Sequence, residues 1–407
     1  MEHKIIGVIL LLLCNFTLGN ELEHHNISIV LCPTQCECTN IDRHYRATQI
    51  VCSDRSSLGI ELPKFLVILS YNNVTTPYLQ SSNLISLKTN KSNLNTIIYR
   101  QSGIKKISSY TFEKIIGLEW LDLSNNFIED IPENTLQQLV NLQKLNLSNN
   151  NLINISSKLF ENLYDLMELY LSNNRLTSPH FQSISALTSL NILDISNNQI
   201  KNVQDYKVTN NKLKILLLDS NFIRDFPSCI MDNLKQLQFL NISNNMMSTL
   251  SDGVFNGLIN LNTLDLRHNK IKILNILIFQ ELDNLLKLDL SENPIYLLYD
   301  NQFKYNKKLE TLIIDSTEIK SLNRDTLSNL HKLKTLSASH NRYLSYIHKD
   351  IFIDSSDIQY LDLSYNNLTT VPTFLQSLIN LQVVNLNNNP WECNCNSSWI
   401  VSWLEKY

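Results

Sequence analysis

At 407 residues and 43% hydrophobic content the chain can bury a large core, and its length alone allows two or three compact domains. Seven glycines and nine prolines exclude a collagenous or linker-like chain. Against 34 basic side chains stand 38 acidic ones, a net charge of −4, so no basic footprint supports nucleic acid or an anionic membrane as a partner.

Residues 1–19 carry Lys4, the apolar run IIGVILLLL at 5–13, and then the small or polar Thr17 and Gly19. That is the pattern of a secretory signal peptide cleaved near Gly19, and the run is too short to span a bilayer. No later stretch reaches the ~18 apolar residues of a spanning helix, which predicts an exported chain with no membrane span. Eight cysteines suit an oxidising compartment. With Cys14 removed in the signal, Cys32, Cys36, Cys38, Cys52, Cys229, Cys393 and Cys395 remain, an odd number.

The first four of these cluster within residues 29–58. Residues 59–93 contain the fragments FLVILSYNN and NLISLKTN, which suggest one or two degenerate units without fixing their register. From Leu94 onward the pattern L-x-x-L-x-L-x-x-N-x-L recurs every 23 to 25 residues, with later copies starting at Leu118, Leu142, Leu166, Leu190, Leu213, Leu237, Leu261, Leu285, Leu309, Leu333, Ile358 and Leu381. In each copy L-x-L puts two apolar side chains on one face of a short strand and the intervening residue on the other. One such strand buries little, so the units must stack into a parallel sheet over a continuous core.

Six residues before most repeats stands a further apolar residue, among them Phe112, Phe160, Phe255, Phe279, Phe303 and Phe352, which predicts an aromatic-rich spine behind the sheet. Lys207 interrupts it, and the 23-residue spacing there lets Val208 substitute. Asparagine fills the ninth position from Asn126 to Asn389, except where Ser102 and Thr317 replace it. A buried amide must satisfy its donors and acceptor, so these asparagines read as structural, with backbone partners in the next unit, and the two exceptions mark weaker junctions.

These residues resemble the leucine-rich repeat family in its 24-residue extracellular type, over 94–389 and thirteen units. The resemblance implies an α/β solenoid, a curved horseshoe with a parallel sheet on its concave face and loops or short helical turns on its convex face. Extracellular members cap their open ends with cysteine modules. Residues 29–58 look like the N-terminal cap, whose bridges by resemblance are Cys32 to Cys38 and Cys36 to Cys52; sequence alone permits three pairings. Residues 390–407, with Pro390, Trp391, Cys393, Cys395 and the stripe Trp399, Trp403 and Leu404, look like the start of the C-terminal cap. In the family these two half-cap cysteines bond to two further downstream, and a bridge between them across one residue would be strained. The expectation is that the sequence is a truncated product or gene fragment of a longer protein. Cys229 reads as a buried free thiol, with intermolecular pairing the alternative.

An enzyme needs a constellation of groups, and G-x-S-x-G, H-E-x-x-H and a phosphate-cradling glycine loop are all absent. His268 and His340 share a repeat position but stand roughly 14 Å apart at ~4.8 Å per strand, too far to share a metal. Asp265 and Asp289 occupy the central outward position of adjacent strands, with carboxylates ~5 Å apart, as in a retaining glycosidase pair or a weak calcium site. They stand on an open surface, and Asp122, Asp194 and Asp362 repeat the same choice, so solvated aspartate is the better reading. No catalytic residue, cofactor or metal is expected.

The outward residues of the strands form the family's usual recognition surface. Tyr170, Ile192, Ile215, Leu217 and Phe239 are predicted to form an apolar patch over four units, with Trp120 further along the face, and this is the candidate ligand site. Sequons stand at Asn26, Asn73, Asn90, Asn146, Asn154, Asn241, Asn367 and Asn396, and glycans at Asn146 and Asn241 would flank the patch. The resulting expectation is a secreted or cell-surface protein, similar to the ectodomains of Toll-type receptors, Slit-type proteins and adhesion proteins, that binds a protein ligand or an extracellular-matrix protein. A homodimer through the patch is the alternative occupant, and a matrix component of the small proteoglycan type the alternative class. Against that class, no Ser-Gly dipeptide has an acidic context; Ser102-Gly103 is followed by lysines.

Overall fold

A computed structural model describes residues 36–41, 47–53, 66–81, 83, 94–203, 210–228, 230–392 and 399–404. Sixteen strands form one sheet in chain order. The first two, Cys36–Ile41 and Ala47–Cys52, are antiparallel, and every later pairing in that sheet is parallel. Each predicted repeat contributes one strand, from Thr96–Arg100 through Trp120–Asp122 to Val383–Asn385, so the leucine pattern sets both strand position and register. Leu121 pairs with Leu145, and Leu145 with Leu169, so like residues of successive units form columns.

The core lies behind this sheet and is continuous along the solenoid. The predicted spine is present: Phe112, Phe160, Phe255, Phe279 and Phe303 are fully buried, and Phe279 stacks on Phe255 and Phe303 at centroid distances of 6.3 and 6.1 Å. The convex side is built from turns, with a four-residue α-helix at Phe181–Ile184 and 3₁₀ turns at Glu133–Thr135 and Thr373–Ser377. Lys207, Val208 and Cys229 lie outside the described residues.

The asparagine ladder runs opposite to the sequence expectation, since the partners sit in the preceding unit. Asn150 Oδ1 accepts from the Ile128 N–H at 3.0 Å, and Asn150 Nδ2 donates to Leu123 O in the preceding unit and to Leu147 O in its own. The residue before each ladder asparagine takes the left-handed conformation, with φ between 51° and 58° from Asn125 to Asn388. Asparagine tolerates that region better than most residues, which explains the recurring Asn-Asn pair. Ser220, His268, Glu292, Ser316, His340 and Tyr365 adopt it without that advantage.

At the N-terminal end, strand Ile68–Asn72 pairs in parallel with Ala47–Cys52 and with Thr96–Arg100. That fixes the register of the FLVILSYNN fragment, in which Leu69, Ser70 and Tyr71 are buried and Tyr71 stacks on Tyr99 at 4.6 Å; NLISLKTN after Asn83 lies outside the described residues. Cys36 and Cys52 are disulfide-bonded, with Cα atoms 4.2 Å apart, and Cys38 is also in a disulfide. Cys32, Cys393 and Cys395 lie outside the described residues. At the other end Trp391, Trp399 and Trp403 pack against the last units, the latter two edge to face at 6.3 Å.

Candidate functional site

Every residue of the predicted patch lies on the outward face of its strand, half-buried between neighbours. Parallel pairing sets Ile192 beside Ile215 and Ile215 beside Phe239, one unbroken apolar column. Leu217 stands two residues along from Ile215, in register between Asp194 and Asn241.

Tyr170 and Trp120 do not extend this stripe. Tyr170 pairs across to Asp194, and its hydroxyl donates to Glu168 Oε2 at 2.9 Å. Lys144, on the strand between them, holds its ammonium 5.2 Å from the Trp120 ring centre and 5.3 Å from that of Tyr170, and pairs with Glu168 at 2.8 Å. Burial pulls the Glu168 carboxyl upward, but hydrogen bonds from Lys144 and Tyr170 and the Lys144 charge outweigh it and hold the pKa below the ordinary range. Burial first, and then Glu168, push the Tyr170 phenol up to about 12. The predicted patch is therefore two surfaces, a cation–π cluster and an apolar stripe, because charged Lys144 and Glu168 hold the register positions that Ile192, Ile215 and Phe239 fill further along.

The aspartates are more constrained than free solvated groups. Asp194 Oδ1 accepts from the N–H and hydroxyl of Ser196 at 3.0 and 2.6 Å, and Asp289 binds Ser291 in the same way. Asn146 and Asn241 make the equivalent bond to Ser148 and Ser243. An acceptor at this position fixes the turn after the strand, a role that the isolated sequence pattern did not reveal. Asp122 is fully buried, paired to Arg100, and Asp289 is only 7% exposed. Asp265 and Asp289 are register neighbours, and burial, with Asp289 adding, raises the Asp265 carboxyl. The described residues hold no group of three His, Cys, Asp or Glu side chains arranged for a metal ion.

The leucine rich repeat description matches residues 92–152, 140–200, 211–271, 240–295 and 283–343, and a second repeat description matches 357–378. The chain belongs to the leucine rich repeat family. Among curated relatives, this repeat protein is 31% identical over 98 residues to the high affinity nerve growth factor receptor of Gallus gallus, covering 24% of this chain and 12% of that one. It is 26% identical over 108 residues to the CD180 antigen of Mus musculus, covering 24% and 15%. The chain thus spans a small fraction of these relatives' length. Among solved structures it is similar to TLR13 in its complex with ssRNA13, with TM-score 0.76, 23% identity, and coverage of 90% of this chain and 54% of that one. The Toll–Spatzle complex of Drosophila gives TM-score 0.69 and 19% identity, covering 87% and 59%. These likenesses establish a leucine-rich repeat solenoid similar in fold to Toll-type ectodomains.

On the repeat scaffold the sequons separate by exposure. Asn73, Asn154 and Asn367 are exposed, whereas Asn146 and Asn241 are half-buried on the concave face; Asn26, Asn90 and Asn396 lie outside the described residues. His268 and His340 stay apart: His268 Nδ1 meets Glu292 Oε2 at 2.8 Å, and His340 stacks on Tyr365 at 4.3 Å. One apolar surface escaped the repeat pattern. Ile273 and Leu297 pair beyond the sheet edge, and exposed Ile273, Ile276, Tyr296 and Tyr299 line one surface hollow there. A comparison of the loop positions across units, where most repeats place polar residues, carries that signal. No helix among the described residues is long and apolar enough to cross a membrane.

Proposed function

We propose that this chain is a non-catalytic extracellular recognition protein, secreted or held at a cell surface, that binds a protein ligand on its concave face across strands Ile192–Asp194, Ile215–Leu217 and Phe239–Asn241. The observation that carries the reading is the unbroken column Ile192, Ile215 and Phe239 on three adjacent strands, with Leu217 beside it, all half-exposed. Apolar groups standing in register on a rigid sheet gain from burial without paying for reordering, which is what a binding hot spot requires. Similarity to receptor ectodomains supports the reading, and the Toll structure is itself a complex with Spatzle. The TLR13 structure holds an RNA. Here the net charge of −4 and the concave aspartates favour a protein over a polyanion.

The test compares ligand capture by the wild-type chain with capture by Phe239→Ala and Leu217→Asp, using extracellular extract from the source tissue and quantitative mass spectrometry. At least one protein retained by the wild type falls about tenfold or more with both variants, the scale of a hot-spot loss. Undiminished capture by variants with wild-type melting curves rejects the site. A self-associating column shows instead as a change in sedimentation between wild type and Phe239→Ala.

A further inference from the structure

Three carboxylates border the apolar stripe, and two of them, Asp194 and Asp219, have no cationic partner among the described residues. Along one strand and the residues after it, Ile215, Leu217 and Asp219 alternate onto the concave side. Across the sheet Leu217 has Asp194 on one side and Asn241 on the other, and Asp265 follows Asn241. At ~4.8 Å per strand, the three carboxylates lie within about 10 Å of Leu217.

At three places on the same face the protein supplies its own cations, whereas Asp289, Asp315 and Asp362 are held by serines. Arg100 pairs with Asp122, Lys144 with Glu168, and Lys334 with Glu310. Among the described residues no Lys, Arg or His forms an ion pair with Asp194 or Asp219. Arg267, two residues on, and Lys287, on the next strand, temper Asp265. Around Asp219, burial leads in raising the carboxyl, and the other charges that act on it are the carboxylates of Asp194 and Asp265. This half-buried field is unfavourable until a cation from outside enters it.

We propose that the stripe takes a protein segment that carries a lysine or arginine directly beside apolar side chains. The apolar groups cover Ile192, Ile215 and Phe239, and the cation lies between Asp194 and Asp219. This inference rests on the concave stripe being the ligand site, and it adds the chemistry of the occupant. Apolar burial supplies most of the affinity, while the two carboxylates select the partner and speed its arrival.

The variants keep the fold by a substitution that the protein already uses. Asn146 and Asn241 hold the repeat position of Asp194 and keep the bond to the serine two residues on, so Asp194→Asn, made in a host without N-glycosylation because it completes an Asn-Ile-Ser sequon, removes charge and preserves the acceptor. Serine fills the position of Asp219 in neighbouring units, at Ser196 and Ser243, so Asp219→Ser is equally tolerated.

A phage-displayed library of random dodecapeptides is selected against the full chain, and the enriched peptides are tested on the variants. The expected peptides place Lys or Arg next to Leu, Ile or Phe and fail to bind Phe239→Ala. They weaken about fivefold on Asp194→Asn/Asp219→Ser at low ionic strength, with the difference shrinking in high salt. Enriched peptides that need Phe239 but carry neutral or acidic residues, or ignore the carboxylate variants, overturn the cationic occupant and leave the concave site standing. Peptides indifferent to Phe239→Ala, or a library with no enrichment, overturn both.

Discussion

Thr317 gives both its backbone N–H and its hydroxyl to a single acceptor, Oδ1 of Asn341, at 2.7 and 2.6 Å, and Nδ2 of Asn341 is left buried with no partner. In regular units the ladder amide spends both ends, as Asn174 does on Leu152 N–H, Leu147 O and Leu171 O. The missing asparagine at 317 therefore disturbs the next rung. Thr317→Asn restores the repeat and is expected to stabilise the chain by about 1 kcal/mol, the net worth of one added hydrogen bond. The reverse change, Asn174→Ala, strands the Leu152 N–H and costs about 2–3 kcal/mol. Urea unfolding of both variants measures the pair; equal midpoints would remove the ladder from the stability argument.

Phe279 lies between two ring partners with no exposed surface to relax into. Phe279→Ala is expected to cost about 3–5 kcal/mol, because the cavity opens inside a stack that both neighbours line. In a solenoid each unit leans on the next, so the loss is expected to split the unfolding transition near the centre of the array. Denaturation followed by hydrogen exchange locates the break.

Acid should spare Asp219 and Asp265. Burial raises both carboxyls, with neighbouring carboxylates adding to it, so the native state holds protons at a pH where the unfolded chain, near about 3.9, has released them. Their destabilising cost is absent below the unfolded value. It grows as pH rises through the window up to the raised native values, and is complete above it. Asp219→Asn is therefore expected to melt above wild type at neutral pH and level with it at pH 3. A gain that persists unchanged into acid contradicts the assignment.

Lys144 anchors Glu168 and lies close to the rings of Trp120 and Tyr170. Lys144→Met removes the cation while keeping the apolar stem. The Glu168 pKa is expected to rise, since burial then acts without the opposing ammonium, and the thermal midpoint is expected to move little because the pair is half-exposed. Carboxyl-detected NMR titration of Glu168 in the two proteins reads the change directly.

Glycan occupancy is expected to follow exposure, with Asn73, Asn154 and Asn367 modified and Asn146 and Asn241 bare. Asn146 Oδ1 accepts from both the N–H and the hydroxyl of Ser148, and its Nδ2 lies 3.4 Å from Asp122 Oδ2. Asn241 accepts from the Ser243 N–H. Glycopeptide mass spectrometry decides this, and a sugar found on Asn241 would count against the ligand site as well.

The sequence by itself determined the architecture. A repeat of fixed length states the fold many times over, so the strand leucines, the Phe112 to Phe352 spine and the ladder positions were legible before any coordinate was known. It also named the members of the concave stripe, since strand alternation fixes which side a residue faces. Tertiary structure alone decided the rest. Pairing between units showed that the ladder amides reach backward, that Tyr170 and Trp120 are drawn to Lys144 and away from Ile192, and that strand Ile68–Asn72 joins the sheet despite its poor match to the pattern. It also showed that the aspartates are partly or fully buried and bonded to their own turns. The division has one physical cause. Periodicity reports which face a residue takes within its own unit, whereas hydrogen bonds, cation–π contacts and charge fields depend on what the adjacent unit presents, and that is set only when the units stack.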